Sequence, residues 1–153
     1  MSYQPFCSTE IVFATGQELL DRLLEVENNV VLVMSRSAAK RWELDSFIDK
    51  LSAKLKKDNY KFVWIEQIAP NPTQEDLVNA LRQIDHNKVR TIIAIGGGSA
   101  IDLAKGLSVF SNHPHKENID IVSESIKNKS YVGNTFSDII AVPTTSGSGS
   151  EVT

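Results

Sequence analysis

Short runs of apolar residues alternate along the chain with longer stretches in which apolar residues recur at helical spacing. The short runs predict strands, because a brief continuous apolar run is typical of a strand buried on both faces. The predicted strands cover residues 11–13, 30–34, 61–65, 91–95 and 139–142.

Helices are predicted between these strands. One follows Gly16, a longer one covers residues 38–57, a third begins at Thr73 and a fourth covers residues 99–110. Asp76 stands three residues after Thr73, which is the spacing of a capping box. Residues 112–136 are polar and show no clear periodicity, so we expect them to form a long surface loop.

The order of strands and helices predicts an α/β fold, a Rossmann-like parallel sheet with helices on both faces. In such sheets ligands bind at the carboxyl ends of the strands, near the point where the strand order reverses. Three segments that carry polar or glycine residues follow predicted strands: Ser35-Arg36, residues 96–99, and the segment from Thr144. We expect them to converge on one edge of the sheet.

Composition and charge exclude several classes of protein. The chain has 153 residues, 41% of them hydrophobic and 23% charged, which fits one ordinary globular domain. Its net charge of -3 argues against a nucleic-acid partner. No apolar run approaches the roughly 20 residues of a membrane span, so no membrane partner is expected. The N-terminal residues lack the pattern of a signal peptide. The single cysteine, Cys7, excludes an internal disulfide and favours a cytoplasmic location.

The strongest chemical signal is the segment IAIGGGSAIDLAK, residues 93–105. Its glycines let the backbone turn sharply and approach a ligand closely. A helix that begins directly after them points unpaired N–H groups and its positive dipole end at an anion, such as a nucleotide pyrophosphate. The standard G-x-G-x-x-G fingerprint fails, because Ile101 replaces the third glycine. The structural alternative makes Ser99 an N-cap and Asp102 its capping-box partner.

The segment PTTSGSGSEVT, residues 143–153, follows the last predicted strand. Its composition alone is typical of a flexible Gly/Ser linker. Its position after a buried strand favours a binding loop instead, since hydroxyl and backbone N–H groups can surround a phosphate or ribose.

A third candidate segment is Ser35-Arg36-Ser37. Dinucleotide sites usually have an acidic residue at such a strand end, where it binds the 2′-hydroxyl of the adenine ribose. No carboxylate occurs here until Glu43, whereas Arg36 offers a charge-assisted and bidentate partner for a 2′-phosphate. An exposed helix start without a ligand is the equally weighted alternative.

Other residues carry no assigned chemistry. His113 and His115 flank Pro114 without a third ligand nearby, so no metal site is predicted there. Trp64 is expected to pack. We find no nucleophile–base pair and assign no catalytic residue.

These motifs resemble those of the iron-containing (group III) alcohol dehydrogenases. The segment IAIGGGSAIDLAK is similar to that family's GGGSxxDxAK, and AVPTTSGSGSEVT resembles its PTTxGTGSEVT. APNPT resembles the loop that precedes the helix leading to the glycine turn, and the similarity runs from about Ile11 to Thr153. The resemblance implies that residues 1–153 form one dinucleotide-binding domain, a fragment of an enzyme whose helical, metal-binding C-terminal domain lies outside this chain.

The resemblance and the strand-end pattern together give a set of coenzyme-binding candidates. They are Ser35, Arg36, Asn71, Gly96, Gly97, Gly98, Ser99, Asp102, Thr144, Thr145, Ser148 and Thr153. The resemblance implies that the glycines and Ser99 hold the pyrophosphate, with Asp102 orienting the glycine loop or lying near the nicotinamide. It places Asn71 on the adenosine side, and Thr144 and Thr145 against the coenzyme.

The resemblance further implies a metal-dependent alcohol dehydrogenase that runs as an aldehyde reductase and transfers hydride between NAD(P)H and a small alcohol or aldehyde. NAD-preferring relatives carry an aspartate near Arg36, so its absence favours NADP(H), although NAD stays open. Ser35-Arg36-Ser37 faintly resembles the phosphonoacetaldehyde reductase branch. Fe²⁺ or Zn²⁺ would be bound by residues outside this chain, which alone would be inactive. The complete enzyme is expected to be a homodimer or higher homo-oligomer.

Other interpretations stay open on the sequence alone. A dehydroquinate synthase-like or glycerol dehydrogenase-like enzyme would use the same coenzyme site. A non-catalytic nucleotide-binding module would need only the glycine turn. A fragment that self-associates would use the apolar face left by a missing second domain.

Overall fold

The computed structural model describes residues 12, 14–84, 88–130 and 136–145. The strand predicted at residues 11–13 therefore falls mostly outside the described residues. The described elements are α1 (Gly16–Leu24), β1 (Val30–Val33), α2 (Arg36–Arg41), α3 (Asp45–Lys57), β2 (Phe62–Ile65), α4 (Gln74–Leu81), β3 (Thr91–Gly96), α5 (Gly98–Phe110), α6 (Ile119–Asn128) and β4 (Asp138–Pro143). None of the described helices is long and apolar enough to cross a membrane.

The four described strands form one parallel sheet in the order β2-β1-β3-β4. Val33 of β1 pairs with Ile65 on one side and with Ala94 on the other. The chain therefore runs outward from β1 to β2, crosses back to β3, and then continues outward on the other side to β4. This reversal places the topological switch point between the carboxyl ends of β1 and β3. The predicted α/β fold is confirmed.

The sheet separates two apolar cores. Leu32 and Ile93 pack on one face with residues of α1, α2 and α3, and Val31 and Ile92 pack on the other with α4, α5 and α6. Fully burying a side chain of this size contributes about 1.5–3 kcal/mol. Every residue of β1 and β3 is buried, which is why these central strands are continuous apolar runs in the sequence.

The single helix expected over residues 38–57 is wrong, because α2 and α3 are separate helices. Glu43 lies between them in the left-handed region with φ 53°. The N–H of Leu44 donates to the carbonyl of Ala39 at 2.9 Å, and that of Glu43 donates to Lys40 at 3.2 Å. These two bonds form a Schellman motif, which ends α2 without the usual glycine.

The loop expected over residues 112–136 is also wrong, because this region contains α6. The side chain of Asn118 accepts hydrogen bonds from the N–H groups of Asp120 and Ile121 and so caps the helix. Val122 is fully buried and joins the core shared by α4 and α5. Residues 131–135 lie outside the described part of the chain.

The capping box at the start of α4 is confirmed. The N–H of Thr73 donates to Asp76 Oδ2 at 2.8 Å, and the N–H of Asp76 donates to Thr73 Oγ1 at 3.3 Å. The box fixes where α4 begins, directly after the loop that carries Asn71. An equivalent box joins Thr15 and Glu18 at α1.

Candidate functional site

The glycine turn lies at the switch point of the sheet. β3 ends at Gly96 and α5 begins at Gly98, so Gly97 is the N-cap, in extended conformation with φ -82° and ψ -170°. The carbonyl of Gly97 accepts from the N–H groups of Ala100 and Ile101 at 3.1 and 3.3 Å. The N–H groups of Gly98 and Ser99 come earlier in the helix than these two bonds, so they have no acceptor within it. Together with the positive end of the helix dipole they offer hydrogen-bond donors and partial positive charge, which is an arrangement that suits an anion.

The packing around the turn explains two of its glycines. A Cβ on Gly96 would lie 2.8 Å from Cβ of Ala100, which is closer than atoms can pack. Gly96 is therefore required by contact between β3 and α5, independently of any ligand. A Cβ on Gly97 would lie 3.2 Å from Oγ1 and 3.3 Å from Cγ2 of Thr145. Gly97 thus keeps open a narrow gap between the turn and the end of β4.

The capping alternative for Ser99 is wrong, because Gly97 caps α5 and has no side chain to do so. Ser99 is the second residue of the helix, and its Oγ accepts from the N–H of Asn71 at 3.2 Å. Asp102 lies one turn further on, exposed, with Oδ1 3.7 Å from Nζ of Lys105. Its side chain makes no contact with the cap of this helix in the described structure.

Two neighbouring loops meet the glycine turn. The N–H of Thr144 donates to the carbonyl of Gly96 at 2.9 Å, so the segment after β4 continues the ladder along the turn. Asn71 adopts φ 51°, and its bond to Ser99 holds the loop before α4 against α5. The structure therefore brings together the loop, turn and strand-end candidates. Ser148 and Thr153 lie outside the described residues.

The Ser35-Arg36 candidates lie where β1 ends and α2 begins, beside the same switch point. Ser35 is the N-cap of α2, and its Oγ accepts from the N–H of Ala38 at 3.2 Å. The hydroxyls of Ser35 and Ser37 lie 3.1 Å apart. Ser35 therefore has a structural task at the helix start, whether or not it also contacts a ligand.

Arg36 contacts two residues at the end of β2: Trp64 in the strand and Glu66 directly after it. Its Nε donates to Oε2 of Glu66 at 2.6 Å, and its Cζ lies 4.8 Å from the centroid of the Trp64 ring. Trp64 is also fixed, since its Nε1 donates to the carbonyl of Met34 at 2.7 Å. Trp64 packs as expected, and it also serves as the platform for the guanidinium.

Glu66 is the residue at this edge that sequence reasoning missed. Glu66 lies 30 residues from Arg36 along the chain, at the end of the neighbouring strand, whereas the first carboxylate after Arg36 in the sequence is Glu43. The available signal was topological: Glu66 directly follows β2, and parallel strands end at the same edge.

The described residues contain no metal-binding site. They include no group of three or more His, Cys, Asp or Glu side chains placed to hold a metal ion. These residues thus do not fit an iron or zinc centre.

Comparison with known proteins shows to which family the chain is similar. The sequence model for iron-containing alcohol dehydrogenase matches residues 8–153. The chain is 30% identical over 125 residues to human mitochondrial hydroxyacid-oxoacid transhydrogenase, covering 82% of the chain and 26% of that protein. It is 31% identical over 143 residues to the NADPH-dependent butanol dehydrogenase of Clostridium saccharobutylicum, covering 90% and 34% respectively.

Solved structures show the same fold. The NADH-dependent butanol dehydrogenase A of Thermotoga maritima superposes with a TM-score of 0.69 at 20% identity, over 97% of this chain and 36% of that one. An iron-containing alcohol dehydrogenase of the same organism gives a TM-score of 0.64 at 21% identity, over 90% and 35%. The chain thus spans about a quarter to a third of the length of these relatives. By the family match over residues 8–153, the chain belongs to the iron-containing alcohol dehydrogenase family.

Proposed function

We propose that this chain binds the adenosine diphosphate part of NAD(P) and is the coenzyme-binding domain of an alcohol dehydrogenase that acts on a small alcohol or aldehyde. The observation that carries the proposal is the glycine turn at the switch point. There the N–H groups of Gly98 and Ser99 open a helix directly after a buried strand.

The residues around the turn suit a dinucleotide. Gly97 presents no side chain at the start of α5, so a pyrophosphate could approach the backbone closely there, beside Thr145. Asn71 lies against Ser99, so a nucleotide there would meet a polar loop. Arg36 lies at the end of the adjacent strand, where the adenine ribose of a dinucleotide is bound in sheets of this kind. Its positive charge favours NADP(H), since it can pair with a 2′-phosphate.

The coenzyme supplies the hydride when bound. The task of this chain would be to hold it in a fixed orientation, with the pyrophosphate on α5 and the adenosine toward Arg36. The relatives' names mention both NADPH and NADH, and a butanol dehydrogenase is among them, which supports a small alcohol or aldehyde as substrate. Phosphonoacetaldehyde as the aldehyde, a metal bound by other residues of the complete enzyme, a homo-oligomer and a cytoplasmic location remain parts of this proposal.

Calorimetric titration tests the proposal. Circular dichroism first establishes that the chain is folded. The chain is then titrated separately with NADPH, NADH, ADP-ribose and nicotinamide mononucleotide. We expect saturable binding of the first three and none of the last, because the proposed site holds the adenosine diphosphate half of the coenzyme. Absence of saturable binding by all four ligands would overturn the proposal. Binding of the mononucleotide alone would place the nicotinamide half on this chain instead.

A further inference from the structure

Arg36, the residue proposed to meet a 2′-phosphate, already has an anionic partner. Its Nε lies 2.6 Å from Oε2 of Glu66, and the two side chains are 56% and 38% exposed. A phosphate that approaches this guanidinium from solvent therefore also approaches the Glu66 carboxylate. The effect of Arg36 on coenzyme choice cannot be separated from that of Glu66.

The position of this pair follows from the fold. Val33 and Ile65 pair across the parallel strands β1 and β2, so Glu66 and the start of α2 lie at the same edge. Trp64 holds the guanidinium in place, because its own ring is fixed by the hydrogen bond to Met34. Arg36 therefore has little freedom to leave Glu66 without also leaving its aromatic platform.

We propose that Glu66 is a coenzyme-specificity residue. Its carboxylate accepts a hydrogen bond from the 2′-hydroxyl of NAD(H) and repels the 2′-phosphate of NADP(H). This reduces the preference for NADP(H) that Arg36 alone would create. The inference rests on the proposed function, and it assigns to an acidic residue of the neighbouring strand the discrimination usually made on the strand that precedes α2.

The physical argument compares the two ligands at this pair. A ribose hydroxyl is neutral and can donate to Glu66 while the ion pair with Arg36 stays intact. A 2′-phosphate brings about two negative charges and must share the guanidinium with the carboxylate. Because both side chains are well exposed and water screens them strongly, repulsion between such charges a few ångströms apart corresponds to about a tenfold change in affinity.

The test is the ratio of NADPH to NADH affinity in Glu66→Gln, measured by calorimetry on the full chain. Glutamine keeps the length and the acceptor oxygen but removes the charge. We expect NADPH to bind about tenfold more tightly and NADH to change by about threefold or less. Asp49→Asn is the matched control, since Asp49 is exposed on α3 and its replacement changes the net charge equally.

The outcomes separate this inference from the proposed function. If the folded wild-type chain binds neither coenzyme, the proposed function fails and this inference fails with it. If both bind and Glu66→Gln leaves their ratio at the wild-type value, only the role of Glu66 is overturned. Weaker NADPH binding in Glu66→Gln would also overturn it, because Glu66 would then help by holding Arg36. If Asp49→Asn shifts the ratio of NADPH to NADH affinity as much as Glu66→Gln does, the shift is an effect of net charge and the specific role of Glu66 is overturned. At raised ionic strength a local effect of Glu66 should shrink less than a net-charge effect, because salt screens distant charges more than charges a few ångströms apart.

Discussion

Replacing Gly97 by alanine adds one methyl group to the gap between the glycine turn and β4, and its consequences for folding are small. The added Cβ would lie 3.2 Å from Oγ1 and 3.3 Å from Cγ2 of Thr145. Thr145 is exposed and can move by the few tenths of an ångström that this contact requires. The backbone at Gly97 has φ -82°, which alanine adopts without strain. Loss of a glycine N-cap and this contact together should cost about 1 kcal/mol or less.

The same methyl group should strongly affect coenzyme binding. It adds bulk at the residue directly before the N–H groups of Gly98 and Ser99, where the proposed pyrophosphate would bind. A hydrogen bond to a charged group contributes about 1.5–3 kcal/mol. Losing one such bond raises the dissociation constant about 10- to 100-fold, since each 1.4 kcal/mol is about tenfold. Gly97→Ala should therefore weaken coenzyme binding strongly while it changes the stability of the fold only slightly.

Titration with NADPH and a thermal melt of each variant measure the two effects. Gly106→Ala is the matched control on the same helix, because its Cβ would meet Leu77 Cδ1 at 2.9 Å, in the core. Overpacking of about 1–3 kcal/mol there is offset by a gain of about 1 kcal/mol from replacing a helical glycine, so the net loss of stability is between about 0 and 2 kcal/mol. We expect Gly106→Ala to keep the affinity for NADPH, whatever change the thermal melt shows within this range. Wild-type affinity in a folded Gly97→Ala chain would refute the assignment of the turn.

Further predictions concern stability. Hydrogen bonds from the backbone N–H and hydroxyl of Thr73 lower the pKa of Asp76, so its stabilising contribution is present above the ordinary carboxyl pKa of about 4 and is lost as the pH falls through the lowered value. Asp76→Asn should therefore reduce stability at neutral pH and flatten its acid dependence in denaturant melts between about pH 5 and 2; Glu75→Gln, which removes a first-turn charge outside the box, is the matched control. Ile101→Ala should cost about 2–5 kcal/mol of unfolding free energy in urea, because the side chain is 1% exposed in the core; a loss below about 1 kcal/mol would contradict that packing.

The parts of the fold that the sequence predicted are those in which burial fixes the pattern. β1 and β3 are buried on both faces, and their continuous apolar runs admit no other assignment at that length. The parts that it did not predict depend on local geometry. The break at Glu43 has no glycine to mark it, although its Schellman bonds are complete. The short helix α6 presents few buried residues, so its polar majority looks like a loop.

For the site, topology predicted more than composition did. Parallel strands end at one edge, and this alone placed the glycine turn beside Thr144, whose N–H bonds to Gly96. Composition alone made the residues after β4 a linker. The same topological rule puts Glu66 at this edge, because β2 lies beside β1 in the sheet. The order of the strands therefore predicts which side chains meet at the switch point better than their separation along the chain does.

The failure of the G-x-G-x-x-G pattern has a physical explanation in the packing of α5. In that fingerprint the third glycine allows close contact between helix and strand. Here the close contact lies one residue earlier, between Gly96 and Ala100, where an added Cβ would approach to 2.8 Å. Ile101 is then free to fill the core beneath the helix, and it is almost fully buried. The requirement for small residues at the helix–strand contact is retained while their spacing changes. A search by spacing misses this turn, whereas a search for a buried strand, small residues and an open helix start finds it.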